Sequence, residues 1–300
     1  MSGGALERLL DPALMQALER LDVGSRRILR GTRQGERRSR RRGQGMEFAD
    51  FRPYVAGDDL RFVDWNIYGR MERLFLRLFE EEEDLSLVVA VDASASMGFG
   101  TPRKFDVARS LAMALGFVGL VQQHRVTLAS LHGDAAERLD GLRGRRKASE
   151  AANWLLAREA GGPLDFERAA RSLASHRMGR GVAVVIGDFL FGQGLPEGVR
   201  ALAARGWDLF LLQVLAPEEV RPGDHGVHGD LRLVDAEGGT EVEVTVSEAV
   251  LREHRARLEA HNAALRELCL RLGVRQMSVE TTADLPRLVL EGLRRGGLLR

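Results

Sequence analysis

The sequence predicts an α/β protein with a mainly parallel central sheet flanked by helices. Short apolar runs at 85–91, 182–186 and 209–215 lack polar alternation, as strands buried on both faces do. Segments of helical length and patterning separate them, which is the alternation of strand–helix–strand units. The first run leads into Asp92-Ala-Ser94-Ala-Ser96, three oxygen-bearing side chains spaced two apart where a buried strand ends. Ligands of open parallel sheets bind at that edge.

In chain order, residues 5–20 carry an apolar stripe of Leu9, Leu10, Leu14, Leu18 and Leu21, the pattern of a helix. An Arg- and Gly-rich connection through Gln44 follows, and 48–78 reads as an ordered insert of undetermined secondary structure. The strand at 85–91 precedes a helix that begins near Phe105, and 125–131 is a second strand. Helices are expected at 148–160, 166–178 and 195–204, around the strands 182–186 and 209–215. Segments 231–234 and 242–246 pair across Glu237-Gly238-Gly239 as a hairpin. A helix at 248–272, a strand at 274–279 and a last helix from Ala283, capped by Thr281 or Thr282, complete the chain. The expected division is an N-terminal helical and insert region, 1–83, and an α/β domain with a C-terminal extension, 84–300.

Composition narrows the function classes. A formal charge of +1 supplies no global attraction to nucleic acid. Nine arginines lie between Arg26 and Arg42 against the single acid Glu36, and five consecutive acids run from Glu80 to Asp84. The basic stretch lacks interleaved aromatics, so a solvated or partner-facing segment is expected rather than a nucleic-acid module. One cysteine, Cys269, excludes an internal disulfide and reads as a small core side chain. No window reaches the length of a membrane span and the start lacks an export pattern, so the expected location is the cytoplasm.

Asp92, Ser94 and Ser96 suit a hard divalent cation, with Asp188, at the end of the 182–186 strand, meeting them across the sheet edge. Few anionic ligands would leave Mg²⁺ or Mn²⁺ able to accept a partner's carboxylate. The alternative is that the serines cap the next turn and Asp92 binds backbone groups. His225, His228 and Asp230 are a weaker metal candidate in a glycine-rich loop, and His254 and His261 read as an amphipathic helix surface. The serines do not sit in a nucleophile elbow, and no phosphate loop is present. An Mg-dependent phosphohydrolase with Asp92 as nucleophile is the enzyme alternative.

Upstream, Tyr54-Val-Ala-Gly57-Asp58-Asp59-Leu-Arg61-Phe-Val-Asp64-Trp65 continues through Arg70, Leu74 and the acidic run to the Asp92 loop. This composite resembles the DUF58 family, whose core is similar to a von Willebrand factor A domain, and the resemblance covers residues 20–280. It implies a metal-ion-dependent adhesion site at Asp92, Ser94, Ser96 and Asp188. The family's loop threonine is absent: Gly161-Gly162-Pro163-Leu164-Asp165 has proline there, with Asp165 an offset substitute. Gly57, Asp58, Asp59, Arg61, Asp64 and Trp65 read as a structural clasp or partner surface, with Arg61 paired to Asp64 or another carboxylate and Trp65 anchored by burial. The resemblance further implies a non-enzymatic adaptor that acts with a MoxR-type AAA+ ATPase on a protein client. A metal-independent interaction scaffold is the nearest alternative.

Overall fold

The computed structural model describes residues 4–24, 46–81, 85–176, 179, 181–236 and 241–300, with side chains omitted at 46–50 and 77–81. The Arg26–Arg42 stretch, and 82–84 of the acidic run, lie outside the described residues. The chain divides into a larger unit, 1–33 with 85–300, and a smaller one, 34–84.

Among the described residues, the helices before the C-terminal helical segment (285–295) are, in chain order, α1 (Gly4–Leu9), α2 (Pro12–Leu18), α3 (Trp65–Met71), α4 (Lys104–Val121), α5 (Ala148–Leu156), α6 (Phe166–Ser175), α7 (Leu195–Ala203), α8 (Pro217–Val220) and α9 (Glu248–Leu272). The strands are β1 (Met46–Pro53), β2 (Phe75–Glu81), β3 (Ser86–Asp92), β4 (Arg125–His132), β5 (Ala135–Leu142), β6 (Gly181–Gly187), β7 (Asp208–Leu215), β8 (Gly229–Val234), β9 (Glu241–Val246) and β10 (Arg275–Glu280).

The larger unit is built on a six-stranded sheet of order β10-β7-β6-β3-β4-β5. All neighbours run parallel except β4 and β5. Every residue of β3, β6 and β7 is buried, which explains their unbroken apolar character. Side chains from α1, α2, α4 and α5 form the core on one face, and α6, α7 and α9 cover the other. From β3 the chain crosses through α4 to β4 on one side. From β6 it crosses through α7 to β7 on the other. The carboxyl ends of β3 and β6 therefore flank the topological switch point, where the two connections diverge and leave a crevice. Asp92 ends β3 and Asp188 follows β6.

Several local expectations are corrected. The helix expected over 5–20 is two, because Asp11 caps a new start by accepting from the Ala13 N–H at 2.7 Å and Pro12 opens α2. The last helical segment starts at Leu285, and its cap is Asp284, which accepts from the Arg287 N–H at 2.7 Å, rather than Thr281 or Thr282. β5 has no counterpart in the sequence expectation. β8 and β9 pair antiparallel as expected, as a separate two-stranded sheet, and the connecting Glu237-Gly238-Gly239 lies outside the described residues.

In the smaller unit, β1 and β2 form an antiparallel ribbon. Asp59 caps a short turn at Leu60–Phe62, and Asp64 caps α3.

Candidate functional site: a lysine-centred carboxylate network

β3 and β6 approach so closely that a Cβ on Gly187 would lie 2.8 Å from the Asp92 Cβ, so this position needs glycine. Beyond Asp92 the chain turns sharply. The Ser94 N–H donates to Asp92 Oδ1 at 2.8 Å, and Ser94 opens a 3-10 turn over Ala95–Gly98 without a side-chain cap bond. The Gly161–Gly162 segment closes over this loop, since Ala95 N donates to the Gly162 carbonyl and Gly161 N to the Ala93 carbonyl.

Ser96 Oγ donates to Asp188 Oδ2 at 2.8 Å and lies 3.0 Å from Ser94 Oγ. A hydroxyl has one proton to give, so Ser94 must donate to Ser96. Asp188 Oδ2 also accepts from Lys104 Nζ at 2.8 Å, and Lys104 bonds in turn to Glu219 Oε1. Lys104 is 0% exposed, at the first position of α4. Glu219, on α8, uses its other oxygen to accept from the Ala216 N–H at 2.8 Å, which caps the start of that short helix from within.

Burial works against the Lys104 charge, but Asp188 and Glu219 outweigh it and hold the ammonium pKa above the ordinary lysine value. Glu219 moves upward because burial outweighs its attraction to Lys104. One ammonium thus bridges two carboxylates, Asp188 and Glu219.

The loop that carries Asp188 is held from three sides. Asp188 Oδ1 accepts from the Leu190 N–H at 3.0 Å, and its carbonyl accepts from Gln213 Nε2 at 3.0 Å. Gln213 also reaches Asn262 on α9 at 2.9 Å. Phe189 adopts a left-handed conformation, φ 54°, and its carbonyl lies 2.7 Å from His261 Nε2. His254 Nε2 lies 2.7 Å from the Glu219 carbonyl. A carbonyl oxygen only accepts, so both histidines carry the proton on Nε2. Seven residues apart on α9, they bind the carbonyls of Glu219 and of Phe189, the residue after Asp188.

The sequence candidates therefore separate. Ser94, Ser96 and Asp188 come together as a bonded chain, with Asp92 bonded to the Ser94 backbone. The expectation of bound Mg²⁺ or Mn²⁺ is overturned: among the described residues, no group of three or more His, Cys, Asp or Glu side chains is placed to hold a metal. The physical reason is visible in the bonding. The hydroxyls are committed to each other and to Asp188, and the Lys104 ammonium supplies the positive charge beside that carboxylate. The same finding removes His225, His228 and Asp230 as a metal site. Asp165 does not compensate for Pro163; it caps α6, accepting from the Arg168 N–H at 3.0 Å. Cys269 is buried, and burial pushes its thiol up to about 11.

In the smaller unit, Gly57 has φ 107°, a conformation that favours glycine. Asp58 pairs with both terminal guanidinium nitrogens of Arg52 at 2.8 Å and accepts from the Val55 N–H. Arg61 pairs with Asp59 rather than Asp64, whose carboxylate accepts from the Asn66 and Ile67 N–H groups. Trp65 is not anchored by burial: it is 60% exposed, edge-on to Tyr68.

Lys104 and Glu219 are the site residues that the sequence reading missed. A mostly parallel sheet with a hydroxyl-and-carboxylate loop at its switch point defines an α/β protein of the von Willebrand factor A-like class. The chain belongs to the family described as "Protein of unknown function DUF58", whose family model matches residues 50–265. It is 30% identical over 297 residues to "Uncharacterized protein Rv1480" of Mycobacterium tuberculosis (strain ATCC 25618 / H37Rv), covering 96% of this chain and 92% of that one. The same values hold for "Uncharacterized protein Mb1516" of Mycobacterium bovis. Among solved structures, the pilus adhesin SpaC from Lactobacillus rhamnosus GG is similar at 11% identity and TM-score 0.42, over 73% of this chain and 30% of that one. The SpRpn10 VWA domain is similar at 11% identity and TM-score 0.37, over 67% and 91%. The fold assignment rests on the strand order rather than on these scores.

Proposed function

We propose that this chain is a non-enzymatic, metal-independent interaction protein of the cytoplasm, working with a MoxR-type AAA+ ATPase on a protein client. The observation that carries the interaction reading is Lys104 Nζ bonded between Asp188 and Glu219 at the sheet's switch point. The buried ammonium there holds a positive charge in place without a metal, which a partner carboxylate would reach where the partly exposed Glu219 gives way. Asp92 is 1% exposed and its Oδ1 binds the Ser94 amide, a setting that favours a structural carboxylate over a nucleophile. The ATPase association is drawn from the family resemblance, and among the described residues no helix is long and apolar enough to cross a membrane.

Co-purification of the tagged chain with a MoxR-type ATPase from the same cells tests the partnership. Capture of that ATPase by wild type, weakened by Lys104→Met, is expected; no capture by wild type overturns the partnership. Turnover of phosphomonoesters that disappears in Asp92→Asn would overturn the non-enzymatic reading.

A further inference from the structure

Glu219 differs from Asp188 in how it is held. Asp188 is 1% exposed and fixed by Ser96, Lys104 and the Leu190 amide. The Glu219 side chain keeps 18% exposure and sits on a four-residue helix. Besides Lys104, it bonds the Ala216 amide, and its backbone carbonyl receives exposed His254. Burial raises its pKa, so an ionised Glu219 regains hydration when it swings out. The ammonium it leaves behind would be buried with one carboxylate, and a second negative group entering from outside restores the pairing.

One exposed apolar side chain lies beside Lys104, and another belongs to the residue two beyond Asp188. The Phe99 ring centroid is 6.0 Å from Lys104 Nζ, and Phe99 is 49% exposed. Leu190, whose amide binds Asp188, is 37% exposed. A segment bringing a carboxylate to Lys104 would bring a neighbouring apolar side chain to Phe99.

We infer that Glu219 is an internal ligand of a carboxylate receptor centred on Lys104, and that an acidic residue flanked by apolar side chains on a partner protein exchanges with it. α8 is then a latch that swings aside, and His254 and the Arg221–Glu280 pair hold it closed. The exchange rests on the interaction reading above and names the partner chemistry of that site.

The probe is the acetylated, amidated pentapeptide Leu-Phe-Glu-Leu-Leu, with Gln replacing Glu in the control, titrated calorimetrically into the full chain. Glu219→Ala and Glu219→Gln are expected to bind the Glu peptide at least about tenfold more tightly than wild type, about 1.4 kcal/mol. The Gln peptide should gain nothing, and adding Lys104→Met should remove the gain. Hydrogen exchange of wild type with saturating Glu peptide provides a measurement independent of the variants. Faster exchange over 217–222 is expected. Equal gains for both peptides, no gain in the folded variants, or unchanged exchange would overturn the latch. Failure to capture an ATPase bears on the partnership alone, whereas retained capture with indifference to the Glu peptide removes the latch alone.

Discussion

Lys104 Nζ and Asp188 Oδ2, from residues 84 positions apart in sequence, lie 2.8 Å apart with both side chains essentially excluded from solvent. The pair ties the first turn of α4 to the end of β6 across the switch point. Removing one member of a buried pair leaves the other uncompensated, typically at a cost of about 3–5 kcal/mol. Lys104→Met is therefore expected to destabilise the chain by that amount in urea unfolding. Asp188→Asn added to it should cost less than the sum of the two single substitutions, because the partner charge is gone. Additive losses would show that the pair is not coupled.

The overturned metal expectation has its own thermal test. A ligand at a hundredfold over its dissociation constant stabilises a protein by about 2.7 kcal/mol, enough to raise Tm by several degrees. Millimolar Mg²⁺ or Mn²⁺ is expected to leave Tm where chelator leaves it, because Lys104 supplies the cation at the site. A saturable rise lost in Ser96→Ala would contradict the lysine-centred assignment.

The parts of this fold that were legible in sequence are those whose burial is uniform. β3, β6 and β7 are buried throughout and read as continuous apolar runs; β5, an edge strand with a mixed pattern, does not. Asp92 and Asp188 are legible as neighbours from their places at strand ends, which topology dictates. Lys104 is not legible as a site residue, because a lysine beside Arg103 at a helix start ordinarily means a solvated end. The signal was in the rest of α4, where only Asp106, Arg109 and Ser110 follow it as polar residues in eighteen positions. A helix that apolar is enclosed, and a charge at its first turn needs a buried partner. Glu219 sits in Pro-Glu-Glu-Val, which carries no such signal, and the seven-residue spacing of His254 and His261 marks a shared face without saying what it meets.

A second charged clasp predicts the acid response. Asp22 Oδ1 lies 2.7 Å from His124 Nε2, and Oδ2 accepts from Arg300 Nε at 3.0 Å. Burial acts to raise its pKa, but His124 and Arg300 outweigh it and lower it from 3.8 to about 2. A depressed folded pKa contributes stability that is present above 3.8 and lost as pH falls through about 2. With partial exposure screening the charges, the contribution is about 1–2 kcal/mol. Asp22→Asn should be less stable than wild type by that amount near neutral pH, with the gap closing as urea unfolding is repeated below pH 3.8. A gap that does not change with pH would mean that the ion pairs contribute nothing.

The His261–Phe189 contact predicts where local opening begins. Phe189 is fully buried, with Phe166 and Phe191 packed against its ring, yet its backbone is left-handed, a conformation that costs a non-glycine residue on the order of 1–3 kcal/mol. The ring packing and the bond from His261 to its carbonyl oppose that strain. His261→Ala removes that bond along with the partly buried ring, so a loss of at least about 1 kcal/mol in global stability is expected. The loss should be concentrated: amide hydrogen exchange should accelerate over 188–192 and leave β6 and β7 protected, since their ladder does not involve the histidine. Unchanged exchange in that loop, with the protein otherwise folded, would show that aromatic packing holds Phe189 left-handed without help from α9.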